Sequence, residues 1–170
     1  VLLRAWPAIR ERTGLRLTVA GADPLAVRLL LTRLRVADDG IAVVGFLTQD
    51  ELTRTLLGAK ALVAPSLGQE SFGMVLTRAF ACALPAVASD IPGYREVLEP
   101  EASVAVAPDD VTALVEAVAA LVEDESRREE MGRAAREIAV ERYAWPGIAR
   151  RLEQIYEGVT GIASGGARAA

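Results

Sequence analysis

The chain has 170 residues, 52% of them hydrophobic and 25% charged, with a formal net charge of -4. That length allows one sizeable core, and the composition is that of an ordinary globular domain. The acidic balance and the lack of a Lys/Arg cluster argue against a nucleic-acid partner, and with no histidine, Ser/His/Asp triads, Cys/His pairs and His-ligated metals drop out together.

Residues 2–13 carry apolar positions at helical spacing, and RLTVAG follows as a short apolar run ending at glycine. The same alternation then repeats. Helical patterns over 24–37, 48–58, 72–83 and a short one over 92–98 are interleaved with the runs IAVVGF, ALVAPS, PAVAS and SVAVA. These runs are continuously apolar rather than alternating, the pattern of strands buried on both faces in a parallel sheet. Two or three helices follow. VTALVEAVAALVED starts after Asp109 and Asp110, which read as an N-cap and a first-turn acid. SRREEMGRAAREIAVERY is a charged helix with i,i+4 pairs, anchored by Met131, Ile138 and Tyr143. WPGIARRLEQIYEGV closes the chain, with Pro146 in a first helical turn.

The fold class expected is therefore α/β: a Rossmann-like parallel sheet flanked by helices, with a helical C-terminal extension. It would occupy residues 1–160, and the Ala/Gly-rich end, 161–170, would be a flexible tail. The apolar stretches are interrupted, as by Glu116, so no transmembrane segment is expected, and no signal peptide is visible. Because the first residue is Val1, the natural N-terminus is expected upstream. The lone Cys82 excludes an internal disulfide and reads as a small buried hydrophobe.

An open parallel sheet binds its ligand beyond the carboxyl ends of its strands. The loops there are GADP (21–24), GFLTQD (45–50), PSLGQESFG (65–73) and SDIPGYRE (89–96). None is a GxGxxG or a GxxxxGK[ST]. The third is the richest. Pro65 and Ser66 end a strand, Gly68 permits a turn, and Glu70 or Ser71 is placed to cap a helix beginning Phe72, Gly73, Met74. A glycine near a helix start costs up to about 1 kcal/mol relative to alanine, which suits a place where something approaches the backbone. Free N–H groups there would form an anion site suited to a phosphate. The local residues fit a second reading equally, in which Glu70 is only a favourable N-terminal charge and Gly73 a packing glycine. The helix FGMVLTRAFACAL should be largely buried, with Thr77 and Arg78 on its one wet face. Arg78 fits a ligand contact or a salt bridge, for instance to Glu70.

PSLGQESFGMVLTRAFACALPAVASDIPGYREVL resembles the donor-binding motif of retaining, nucleotide-sugar-dependent glycosyltransferases of group 1 and the GT-B fold. RLTVAGADP, IAVVGFLTQDEL, LLGAKALVAPS and the RYAWPGIARRLEQIYEGV end fall in that family's order. The resemblance implies the C-terminal, donor-binding half of a two-domain enzyme, whose acceptor site lies on an N-terminal domain absent from this chain. Glu70 matches the first acid of the E-x7-E pair, which holds hydroxyls of the transferred sugar. The backbone of Ser71, Phe72, Gly73 and Met74 matches the diphosphate cradle. Gly45, Phe46 and Leu47 lie where the family contacts the base, and Pro92 and Gly93 occupy the usual Gly-Gly site, with Glu96 ending it. Pro65 and Ser66 match the PS that opens the motif.

Two departures stand out. The second acid of E-x7-E falls on Arg78, which has donors but no acceptor and so cannot chelate a diol as a carboxylate does. The usual glycine before the proline motif is Ala83. The family's phosphate-binding Arg and Lys come from a strand and loop upstream of this chain, so residues 1–13 look like the helix after them. The implied mechanism is metal-independent and needs no cofactor beyond the nucleoside-diphosphate sugar itself. The departing diphosphate is stabilised by a helix N-terminus and cations. Asp38-Asp39 and Asp109-Asp110 read as turn and cap residues rather than metal ligands. The chain alone should be inactive, and the expected location is cytoplasmic, with peripheral membrane attachment through the missing domain as an alternative. Two other classes fit the departures: a degenerate, non-catalytic GT-B module in which Arg78 neutralises Glu70, and a GT-B-like sugar-nucleotide epimerase.

Overall fold

The computed structural model describes residues 1–160. The expected tail, 161–170, lies outside the described residues.

Strand and helix alternate as the apolar runs predict. α1 (Leu2–Thr13) turns Ala5, Trp6 and Ile9 inward and ends where Gly14 enters the left-handed region. β1 (Leu17–Ala20) leads into α2 (Pro24–Leu34), whose start is fixed by the Asp23 carboxylate accepting from the Leu25 amide. Arg35 adopts left-handed backbone and ends that helix three residues short of the expected boundary at 37. β2 (Ile41–Gly45) is followed by α3 (Gln49–Leu57), opened by a reciprocal capping box between Thr48 and Glu51. β3 (Leu62–Ala64), α4 (Met74–Ala81), β4 (Ala86–Ser89) and β5 (Ser103–Val106) complete the α/β part. The helix expected over 92–98 does not form. Successive turn bonds, from Tyr94 N to Ile91 O and from Val97 N and Leu98 N to Tyr94 O, take its place.

The C-terminal extension comprises α5 (Val111–Glu123), α6 (Glu125–Ile138), a π-helical turn (Ala139–Tyr143) and α7 (Trp145–Thr160). Asp110 caps α5 through its carboxylate. The N-cap is thus Asp110, expected as the first-turn acid, and not Asp109, whose backbone is left-handed and whose carboxylate pairs with Arg4. On α6 the ion pair within the helix is i,i+3, Glu125 with Arg128, rather than i,i+4.

All strand pairs are parallel, but they form two ladders, β1-β2 and β3-β4-β5, rather than one continuous sheet. β1 and β3 thus each have one open edge. Side-chain packing nonetheless joins the ladders. One core layer combines Trp6 and Ile9 of α1 with Leu114, Val118 and Leu121 of α5 and with Leu17, Ile41, Val63 and Val87 from the strands. The second layer sets Leu76 and Phe80 of α4 against Ala64, Ala86 and Ala88, closed by Ala135 of α6. Leu56 of α3 extends it through Ala79 and Leu84. Where α6 crosses the end of α4, a Cβ at Gly132 would lie 2.5 Å from the Ala83 carbonyl, so only glycine permits the approach. Arg136 reaches over to donate to the Ala81 carbonyl at 2.7 Å, satisfying an orphan acceptor at that helix end.

A cavity of about 360 Å³ lies at the seam between the ladders, lined by Val19 at the end of β1, Pro65 just past β3, the start of α1 and the apolar face of α2. Its lining puts the carboxyl ends of both ladders on one side of the molecule. The loops that carry the candidate chemistry are on that side.

Candidate functional site

The loop from β3 to α4 is shaped by its own backbone before any ligand is considered. Gln69 and Gly73 both have positive φ, and Gly73 (φ 81°) is the N-cap of α4. A side chain there would be strained, and it would also collide: a Cβ would sit 2.7 Å from Cδ1 of Tyr94. The helix starts at Met74, not at Phe72, and neither Glu70 nor Ser71 caps it, because the N-cap position falls on Gly73, which has no side chain. Without a side-chain cap, the first amides stay open. The earliest bonds are from Leu76 N and Thr77 N to Gly73 O, and no protein acceptor among the described residues takes the N–H of Ser71, Phe72, Gly73, Met74 or Val75. Open amides with a helix dipole behind them attract an anion.

Glu70 is exposed beside this end. Its carboxylate accepts from Ser66 Oγ at 3.4 Å, a weak tether, and Ser66 Oγ is 2.9 Å from the hydroxyl of Tyr94. Tyr94 is buried to 1% exposure, and burial is the main force pushing its phenol above the ordinary tyrosine range, with the Glu70 charge acting in the same direction and the Ser66 bond against it. Gly93 lets the two loops meet, since a Cβ there would lie 1.8 Å from the Glu70 carbonyl oxygen. The Ile91–Leu98 turns thus form a template on which the 66–73 loop rests. Phe72 packs edge-on against Tyr143 at 5.9 Å, and the Tyr143 hydroxyl donates to the Glu96 carbonyl.

The expected burial of α4 is corrected in detail. Met74 and Val75 are exposed, at 55% and 39%, while Thr77, expected on the wet face, is buried with its hydroxyl donating to the Met74 carbonyl. Arg78 is exposed, and no ion pair joins it to Glu70 among the described residues. Ala83 holds left-handed backbone, φ 54°, where a glycine would be unstrained.

The structure brings together Ser66, Glu70, Ser71, Phe72, Gly73, Met74 and Gly93. It does not tie the second loop to them. Gly45 ends β2 with its carbonyl accepting from Gly21, Phe46 is 81% exposed, Leu47 is half-buried, and no hydrogen bond among the described residues links 45–47 to 65–74. Pro65 faces the seam cavity. Sequence reasoning missed Tyr94, whose signal was an aromatic ring set directly after Pro92-Gly93 in an otherwise polar loop. Among the described residues no group of three or more His, Cys, Asp or Glu side chains is placed to hold a metal ion. Cys82 is half-buried, and burial raises its thiol pKa, outweighing the opposing charge of Arg136.

The profile of the "Glycosyl transferases group 1" family matches residues 1–124. The chain belongs to that family. It is 40% identical over 102 residues to a phosphatidyl-myo-inositol mannosyltransferase of Mycobacterium leprae, covering 59% of this chain and 27% of that protein. It is 36% identical over 157 residues to a glycogen synthase of Mycobacterium tuberculosis, covering 91% and 38%. The fold matches that of Anabaena HepE, solved in complex with UDP-glucose, with a TM-score of 0.72, 18% identity and coverage of 95% and 46%. This group 1 chain therefore has the α/β architecture of GT-B glycosyltransferases and spans less than half the length of these relatives. No helix among its described residues is long and apolar enough to cross a membrane.

Proposed function

We propose that this chain is the donor-binding half of a retaining glycosyltransferase that uses a nucleoside-diphosphate sugar. One observation carries the reading: the amides at the start of α4 are open, and Glu70 stands beside them on a loop seated against Gly93 and Tyr94. The backbone N–H groups of Ser71 to Met74 bind the diphosphate and stabilise its charge as it departs. Glu70 accepts hydrogen bonds from sugar hydroxyls and so fixes the glycosyl group relative to the phosphates. Gly45, Phe46 and Leu47 contact the base. Arg78, on the same exposed side of α4 as Met74, replaces a diol-chelating acid with a donor-only group.

The acceptor site belongs to an N-terminal domain beyond this chain. The open edges of β1 and β3 and the partial coverage of the relatives support that extension. The chain alone is then inactive, because closure of two domains would exclude water and position the acceptor. The cytoplasmic location belongs to the same proposal. The reading in which Arg78 neutralises Glu70 requires an ion pair between them, and none joins the two among the described residues.

Isothermal titration of the full-length protein tests the reading, with UDP and UDP-glucose as first probes. Glu70→Ala should weaken the sugar nucleotide at least tenfold while leaving the bare diphosphate unchanged. Equal weakening of both would remove Glu70 from the sugar site.

A further inference from the structure

We infer that Tyr94 is the positioning residue of the donor site, its ring setting the phosphate end and its hydroxyl setting the acid. The inference rests on the donor-site reading above and adds a residue to it. Three observations carry it. Tyr94 is almost wholly enclosed, at 1% exposure, although it lies in a polar loop outside any helix or strand. Its ring edge lies where a Cβ on Gly73 would be, 2.7 and 3.1 Å from Cδ1 and Cε1, so it presses directly on the left-handed cap. Its hydroxyl reaches Ser66 Oγ at 2.9 Å.

Ser66 Oγ lies 3.4 Å from the Glu70 carboxylate and 2.9 Å from the Tyr94 hydroxyl, and in the second contact either hydroxyl can donate. With either hydroxyl as donor, the phenol, the serine and the acid form one hydrogen-bonded chain. The last link, 3.4 Å, is long, so the carboxylate is aimed rather than clamped and stays free to take a hydroxyl from a ligand. Ring and hydroxyl thus act on different halves of the ligand. The ring sets the amides that meet phosphate. The hydroxyl sets, through Ser66, the acid that meets sugar.

Because the two jobs belong to different atoms, two substitutions separate them. In the full-length protein, Tyr94→Phe keeps the ring and should weaken UDP-glucose about fivefold while leaving UDP binding and the unfolding midpoint unchanged. Ser66→Ala should do the same, and the double variant should cost no more than either single change. Tyr94→Leu, which removes the ring edge beside Gly73, should weaken UDP as well. If Tyr94→Phe leaves both ligands unaffected, or weakens both equally, the hydroxyl does not position the acid and the inference is wrong. Additive effects of Ser66→Ala and Tyr94→Phe would also sink it. Should Glu70→Ala be selective and Tyr94→Phe not, this inference falls alone. Should Glu70→Ala itself be unselective, the donor-site reading falls and takes the inference with it.

Discussion

β4 and β1 are both apolar four-residue strands, yet β4 is buried at every position while β1 alternates between half-buried and exposed. The difference lies in their neighbours. β4 pairs with β3 on one side and β5 on the other, and it lies between α4 and α5. β1 pairs only with β2, so Leu17 and Val19 turn toward the helices while Thr18 and Ala20 remain uncovered. A continuous apolar run records what a strand needs. Whether the need is met depends on how many strands stand beside it. The three-stranded ladder also carries the loops at Glu70 and Gly93, so the candidate site is mounted on the better-packed side of the molecule.

The comparison is most exposed to core truncation. Phe80→Ala, at a fully enclosed position of α4 packed on the three-stranded ladder, should lower unfolding free energy by about 4 kcal/mol in denaturant titration. Val19→Ala, at the open edge, should cost less than about 1 kcal/mol. Similar costs at the two sites would mean that the ladders are equally closed in solution. A smaller effect of opposite sign is expected at Ala83. The Ala83→Gly change relieves left-handed strain at an exposed residue and should stabilise the chain by about 1 kcal/mol, read as a raised melting midpoint.

The smallest effect belongs to α3, which carries the chain from the two-stranded ladder to the three-stranded one. The Thr48 hydroxyl, and then its amide, hold the Glu51 carboxyl below its ordinary value. A depressed folded-state pKa adds stability above the unfolded value of about 4.3 and loses it as pH falls through the folded one. Glu51→Gln should therefore lower the melting midpoint slightly at pH 7, and the gap should close below about pH 4. A gap independent of pH would detach the capping box from the stability of α3.

Much of this fold is legible along the chain. Each expected strand is present, because short β-branched or small-residue runs between glycine, proline and serine leave few alternatives to a buried strand. α1 and α3 match closely because Gly14, Thr48 and Glu51 are local stop and start signals. The segment 92–98 has helical spacing without helical bonds, since its amides return to Ile91 and Tyr94 to hold the loop against Glu70. The start of α4 was misplaced for a related reason. Gly73 adopts left-handed backbone against a ring that comes from twenty-one residues further along the chain.

The candidate site shows the same division. Glu70 and Gly73 draw attention from the chain alone, although their types fit a plain helix start equally, and Gly93 enters only through the family resemblance. Tyr94, the burial of Thr77 and the separation of Arg78 from Glu70 do not stand out, because each depends on which atoms come within a few ångströms after folding. Composition, periodicity and turn chemistry act through neighbours in sequence, so they determined the class, the order of elements and the loop to inspect. Strand partners, burial on both faces and the seating of one loop on another depend on contacts between residues far apart in the chain. Those only the tertiary structure decided.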